Sequence, residues 1–138
     1  MNKRRTVLVL ASLAVVAVVS ITCFNFFCVG QKLTYKTISV SDARAMMESS
    51  SNLLVVDVRT PQEYMQGHLK GAINIPLSDL SLRMGELEKD RPILVYCQTG
   101  YRSAQASSIL VKAGFVKIYN LEGGIMAWVS SGYPTVTP

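Results

Sequence analysis

Two uninterrupted apolar runs, Leu53-Leu54-Val55-Val56 and Pro92-Ile93-Leu94-Val95-Tyr96, constrain the fold of this chain more than any other feature. Neither alternates polar with apolar residues, so neither suits a strand with one face in water. Both are short and rich in strand-favouring residues, which argues against core helices. Strands buried on two faces belong to a mainly parallel sheet with helices on either side. Each run ends on a side chain capable of chemistry, Asp57 after the first and Cys97 after the second. Ligands of open α/β sheets bind beyond the carboxyl ends of the strands, so these two residues mark the expected site.

The segments between the runs supply the rest of an α/β alternation. Residues 35–40 read as a first strand, and Ser41 as the cap of a helix reaching residue 49. Thr60-Pro61-Gln62-Glu63 combines a cap, a proline in the first helical position and a capping-box glutamate, a strong helix start. Residues 72–75 read as a brief strand closed by Pro76, and residues 80–87 as a helix. Ala106, Ile109, Leu110 and Ala113 follow helical spacing within residues 102–113, and Gly114 stops that helix. Residues 116–121 form a fifth strand. Gly123-Gly124 then precedes a last helix over residues 125–130. The expectation is a five-stranded, mainly parallel sheet with helices on both faces.

A second feature lies ahead of this domain. Residues 7–29 carry no charge, and Ser12, Ser20, Thr22 and Asn25 are their only polar members. As a helix the run would reach about 35 Å, enough for the ~30 Å hydrocarbon core. Lys3, Arg4 and Arg5 flank it, the pattern of a signal-anchor or signal peptide. No clean small-residue cleavage site follows, and signal-peptide cores are usually about 7 to 15 residues. The expectation is therefore a membrane-anchoring helix in residues 1–30, a linker in residues 31–36 and a folded domain in residues 37–138. The basic flank stays cytoplasmic and the domain lies on the extracytoplasmic side. Cleavage, which would release the domain on that same side, is the alternative.

Composition narrows the classes further. The chain has 138 residues and is 49% hydrophobic, and setting the N-terminal run aside brings the remainder close to ordinary globular composition. Disordered, collagenous, coiled-coil and polytopic membrane architectures are excluded. The net charge of +5 owes three units to Lys3, Arg4 and Arg5. No block of basic residues interleaved with aromatics follows, so nothing supports a nucleic-acid partner.

Of three cysteines, Cys23 and Cys28 lie in the apolar run, without the histidines or acids of a metal site. Cys97 has no partner within the domain. It opens the segment Cys97-Gln98-Thr99-Gly100-Tyr101-Arg102-Ser103 between a buried strand and a helix. Gly100 permits a tight turn. Successive backbone N–H groups at such a turn and helix start converge on one point, favouring an anion and lowering a thiol's pKa. Arg102 adds a positive charge. The consequence is a reactive thiolate at Cys97.

At these residues the sequence resembles the rhodanese family, whose active-site pattern Cys-x-x-Gly-x-Arg matches Cys97, Gly100 and Arg102. Three other stretches strengthen the resemblance: Asp57-Val58-Arg59 with Pro61, Glu63 and Tyr64; the segment from Gly67 to Pro76; and Leu121-Glu122-Gly123-Gly124 ahead of Trp128. Together they cover about residues 36–133. The resemblance implies a single rhodanese-like domain acting as a thiosulfate sulfurtransferase. Cys97 takes the outer sulfur of a small anionic donor such as thiosulfate and passes it to a thiol or cyanide acceptor. It also implies that Gln98, Thr99, Gly100, Tyr101, Arg102 and Ser103 hold the substrate and that no metal or organic cofactor takes part.

The remaining side chains are weighed from the sequence alone. Asp57 is expected to orient the Cys97 loop or to pair with an arginine, and Arg59 to meet the donor at the rim or pair with Glu63. His68, the only histidine, reads as structural, and Trp128 as core. Cysteine phosphatases and arsenate reductases are the rival chemistry, but their arginine comes one place later than Arg102, where this chain has Ser103. A binding or redox-sensing module without turnover is the other alternative.

Overall fold

The computed structural model describes residues 34–138. The expected N-terminal anchor lies outside the described residues, and no helix among those described is long and apolar enough to cross a membrane. In chain order the elements are β1 (Lys36–Ile38), α1 (Val40–Ser49), β2 (Leu54–Asp57), α2 (Pro61–Met65) and β3 (Ala72–Asn74). Then follow α3 (Leu80–Arg83), a single 3-10 turn (Met84–Glu86), β4 (Ile93–Tyr96), α4 (Tyr101–Lys112), β5 (Ile118–Leu121) and α5 (Gly124–Ser130). All five strands pair in parallel, in the order β1-β5-β4-β2-β3.

Side-chain alternation in the central strands explains why the two apolar runs contain no polar position. Val56, Ile93, Val95 and Ile118 point to one face, where Leu80, Ala106, Leu110 and Phe115 cover them. Val55, Leu94, Tyr96 and Leu121 point to the other, against Ala43, Leu69, Ile125 and Trp128. Helices thus cover both faces, as expected for parallel strands joined by helical crossovers. Each fully buried Leu, Ile or Val contributes roughly 1.5–3 kcal/mol.

Element ends depart from the sequence reading by a residue or two in several places, and three of the departures are informative. Ser39, not Ser41, caps α1, its hydroxyl accepting from the Asp42 amide at 3.1 Å. The helix expected over residues 80–87 tightens after Arg83 into the 3-10 turn. The last strand begins at Ile118, two residues later than expected, although the Lys117 carbonyl already accepts from the Ile93 amide at 2.9 Å. The start of α2 is as anticipated: Thr60 and Glu63 form both halves of a capping box, with Pro61 at the first turn.

The sheet order decides where the chemistry sits. β2 and β4 are neighbours, with Asp57 in register with Tyr96. The carboxyl ends of both apolar runs therefore open side by side, and residues 57–59 meet the Cys97 loop across a wide gap in sequence.

Candidate active site

Cys97 follows β4 directly and is 1% exposed. Its carbonyl and side chain are held by different parts of the molecule. On the thiol side, Gly100 adopts the left-handed conformation, with φ 95°, and caps the twelve-residue α4. That turn brings the Gly100 amide to 3.2 Å from Cys97 Sγ. The Ser103 hydroxyl, fully buried in the first turn of α4, has two acceptors within reach of its one proton, Cys97 Sγ at 3.4 Å and the Gly100 carbonyl at 3.1 Å, and a thiolate draws that proton to the sulfur. Burial pushes the Cys97 thiol up. The Ser103 hydroxyl and the amides of Ser103, Thr99 and Gly100 outweigh it, so the thiol is held below its ordinary value. The α4 dipole acts in the same direction.

On the carbonyl side, Ile125 donates its amide to Cys97 O at 2.9 Å and Met126 to Gln98 O at 3.2 Å. The close approach depends on Gly124, where a Cβ would collide with both carbonyl oxygens. The Gly123-Gly124 pair thus lets the start of α5 press against the back of the loop.

The end of β2 forms the neighbouring wall. Asp57 is fully buried and meets Arg59 through both carboxylate oxygens, with Nη2–Oδ2 at 2.7 Å and Nε–Oδ1 at 3.0 Å. Arg59, 4% exposed, also donates to the Gly67 carbonyl at 2.6 Å and to Gln98 Oε1 at 3.3 Å. Asp57 therefore pairs with an arginine and, through it, steadies the loop. Arg59 lines the cleft beside Gln98, but as a paired cation rather than a free one. Asn74 fixes the backbone here, donating to the carbonyls of Asp57 and Arg59 at 3.0 and 2.9 Å.

Arg102 differs most from its sequence reading. Instead of standing free over the loop, its guanidinium forms two bonds to Glu63, at 2.9 and 2.7 Å. Those bonds raise its pKa, and the Cys97 thiolate adds to the effect, which puts the guanidinium in the thiolate's field. Glu63 thus has two partners, Arg102 and the capping-box Thr60. Tyr101 and Thr99 are exposed at the loop's outer edge. His68 stacks on Tyr64 with ring centroids 3.8 Å apart, its Nδ1 lies 3.0 Å from the Tyr64 carbonyl, and its backbone bridges Val136. Its polar contacts are structural.

The structure therefore gathers Cys97, Gln98, Gly100, Arg102, Ser103, Asp57 and Arg59 into one place and adds Glu63, Asn74 and Gly124. Among the described residues, no group of three or more His, Cys, Asp and Glu side chains converges as metal ligands would. A cleft of about 520 Å³ opens beside Gln98, lined among others by Arg59, Glu63, Ile125, Met126 and Val129.

A parallel α/β sheet with a cysteine at the end of a central strand, its thiol held below its ordinary value by the loop's amides and the Ser103 hydroxyl, suits nucleophilic sulfur chemistry. Comparison with known proteins makes this specific. Residues 39–131 match the Rhodanese-like domain. A sulfurtransferase of Allochromatium vinosum is 40% identical over 92 residues, covering 67% of this chain and 86% of its own length. The thiosulfate sulfurtransferase GlpE of Shewanella oneidensis is 35% identical over 95 residues, covering 69% of this chain and 93% of its own. The crystal structure of a rhodanese-related protein from Thermoplasma volcanium superposes with a TM-score of 0.69 at 36% identity, over 75% of this chain and all of that one. The chain belongs to the rhodanese-like domain family, and its relatives support sulfur transfer as its general activity.

Proposed function

We propose that this domain moves a sulfane sulfur from thiosulfate or a similar donor to a thiophilic acceptor through a persulfide on Cys97. The Cys97 thiolate attacks the outer sulfur of thiosulfate. The S–S bond of the donor breaks, sulfite leaves with the bonding electron pair, and Cys97–S–S⁻ remains. The acceptor then attacks the outer sulfur of the persulfide and carries it away, which regenerates the thiolate. With cyanide the product is thiocyanate; with a thiolate it is a new persulfide. The cycle is covalent and of the ping-pong type.

The observation that carries this reading is the convergence of the Gly100 amide and the Ser103 hydroxyl on Cys97 Sγ, at 3.2 and 3.4 Å. Donors preorganised around one sulfur stabilise the thiolate before attack and the extra negative sulfur after it. The Ser103 hydroxyl is the largest single contribution to this field, the amides of Ser103, Thr99 and Gly100 add to it, and Gln98 borders the approach. No histidine is required, because a thiolate needs no base to attack. The apolar run behind Lys3, Arg4 and Arg5 favours anchoring in a membrane, with the domain on the extracytoplasmic side.

The test is intact mass of the full chain in detergent after incubation with thiosulfate, alongside Cys97→Ser. The expected result is a gain of one sulfur atom on the wild type alone, lost again on adding cyanide. No adduct on reduced, folded protein would overturn the thiosulfate reading and leave the binding or redox-sensing module to be tested.

A further inference from the structure

Both arginines at the site are already neutralised. Arg59 is paired with buried Asp57 at 2.7 Å, and Arg102 is clasped by both oxygens of Glu63. Among the described residues, Arg59 and Glu63 are the charged ones lining the cleft beside Gln98, and they carry opposite signs. The same cleft takes apolar surface from Ile125, Met126 and Val129, and the last two are 52% and 55% exposed. A dianion approaching Cys97 past Gln98 leaves bulk water and meets two arginines whose charges are already matched. A donor with one charge or none gives up less hydration, and its carbon body has an apolar wall to rest on.

We infer that Glu63, by cancelling Arg102, sets donor selectivity: the site favours organic sulfane-sulfur donors of low charge over the thiosulfate dianion. Glu63 acts through Arg102 and is a positioning residue, not a catalytic one. The inference rests on the sulfurtransferase reading and names the substrate class for it. The chemistry is the same with an organic thiosulfonate. The Cys97 thiolate attacks the terminal sulfur, the S–S bond breaks, and a sulfinate monoanion leaves with the bonding pair. With an organic persulfide, the leaving group is a thiolate.

The experiment compares two donors that share a leaving-group type, thiosulfate and benzenethiosulfonate, with cyanide as acceptor and the full chain in detergent. The kcat/KM ratio between them is read for wild type, Glu63→Gln and the double variant Glu63→Gln with Arg102→Gln. Glutamine at this position is compatible with the capping box, so α2 keeps its start. Freeing Arg102 is expected to move the ratio roughly fivefold towards thiosulfate, mainly through KM, and removing the arginine as well to return it towards wild type. A second reading needs no variant. In the wild type, kcat/KM for thiosulfate is expected to change little between low and high salt, because no free cation is there to be screened. A sulfur adduct formed normally, with a ratio unmoved or shifted the other way in Glu63→Gln, overturns the inference alone. So does a steep fall of the wild-type thiosulfate rate with salt. No adduct from either donor overturns the sulfurtransferase reading and this inference with it, and intact mass tells the cases apart.

Discussion

The backbone amide of Ile125 donates to the carbonyl oxygen of Cys97 at 2.9 Å, so the residue bearing the thiol is held from behind by a helix near the end of the chain. The contact exists because Gly124, at φ 60°, has no side chain to keep the two backbones apart. A Cβ there would meet the Cys97 carbonyl oxygen and lie 2.6 Å from that of Gln98. Gly124→Ala is therefore expected to cost about 2 kcal/mol or more, from left-handed strain and the backbone clash together. The melting temperature should fall by roughly 10 °C. Sulfur loading of whatever remains folded should fall further, since the loop itself must shift. An unchanged melting curve would show that the loop does not lean on α5.

Ser103 should govern the pH dependence of the thiol. Its hydroxyl is one of the groups that hold Cys97 below its ordinary value, and it stabilises the thiolate rather than the thiol. Removing it in Ser103→Ala makes the thiol less acidic. The rising limb of the pH profile for alkylation of Cys97 therefore moves to higher pH. At neutral pH the rate should drop by up to roughly tenfold, the lower end of what a hydrogen bond to a charge contributes. The two proteins should converge at alkaline pH, where both are thiolates. Superimposable profiles would sink the assignment.

Much of this architecture is legible in the sequence because the strongest signals there are local. The runs ending at Asp57 and Cys97 could only be strands covered on both faces, and the Cys97 loop carries its glycine and its helix start within a few residues. What was not legible depends on pairings between distant segments. Nothing in the spacing says that Arg102 turns to Glu63, because Glu63 already has a sufficient local reason to exist in the capping box with Thr60. Likewise Asn74 reads as a strand residue until β3 is seen beside β2, where its amide fixes the carbonyls of Asp57 and Arg59. Gly124 was visible as a glycine, but the carbonyls that require it to be one come from Cys97 and Gln98.

The two ion pairs should respond very differently to loss of one partner. Asp57 is fully buried and Arg59 nearly so, whereas the Glu63 and Arg102 side chains are 29% and 33% exposed. Asp57→Asn keeps the shape but leaves a buried guanidinium without its counter-charge, at an expected cost of about 3–5 kcal/mol. Glu63→Gln leaves Arg102 within reach of water, at a smaller expected cost of about 2 kcal/mol or less, because solvent screens a pair this exposed. Urea unfolding should show both as shifts of the midpoint with an unchanged slope. Equal costs would mean that burial does not separate the pairs.

The Glu63–Arg102 pair also makes a prediction in acid. Hydrogen bonding to Arg102, opposed by burial and assisted by the Thr60 amide and hydroxyl, lowers the Glu63 pKa from the ordinary 4.5 to about 2. A carboxyl depressed in the folded state binds its proton more readily when unfolded, so acid favours unfolding through it. Its contribution is fully present above about pH 5, shrinks as the pH falls below the unfolded value, and is gone once the folded carboxyl protonates near pH 2. Glutamine at this position has no such proton to bind. The difference in melting temperature between wild type and Glu63→Gln should therefore be flat above about pH 5 and close between there and pH 2. Paired thermal melts across that range test it. A gap still open at pH 2, or one that begins to close near neutrality, would mean that Arg102 does not hold the carboxylate as the two short contacts indicate.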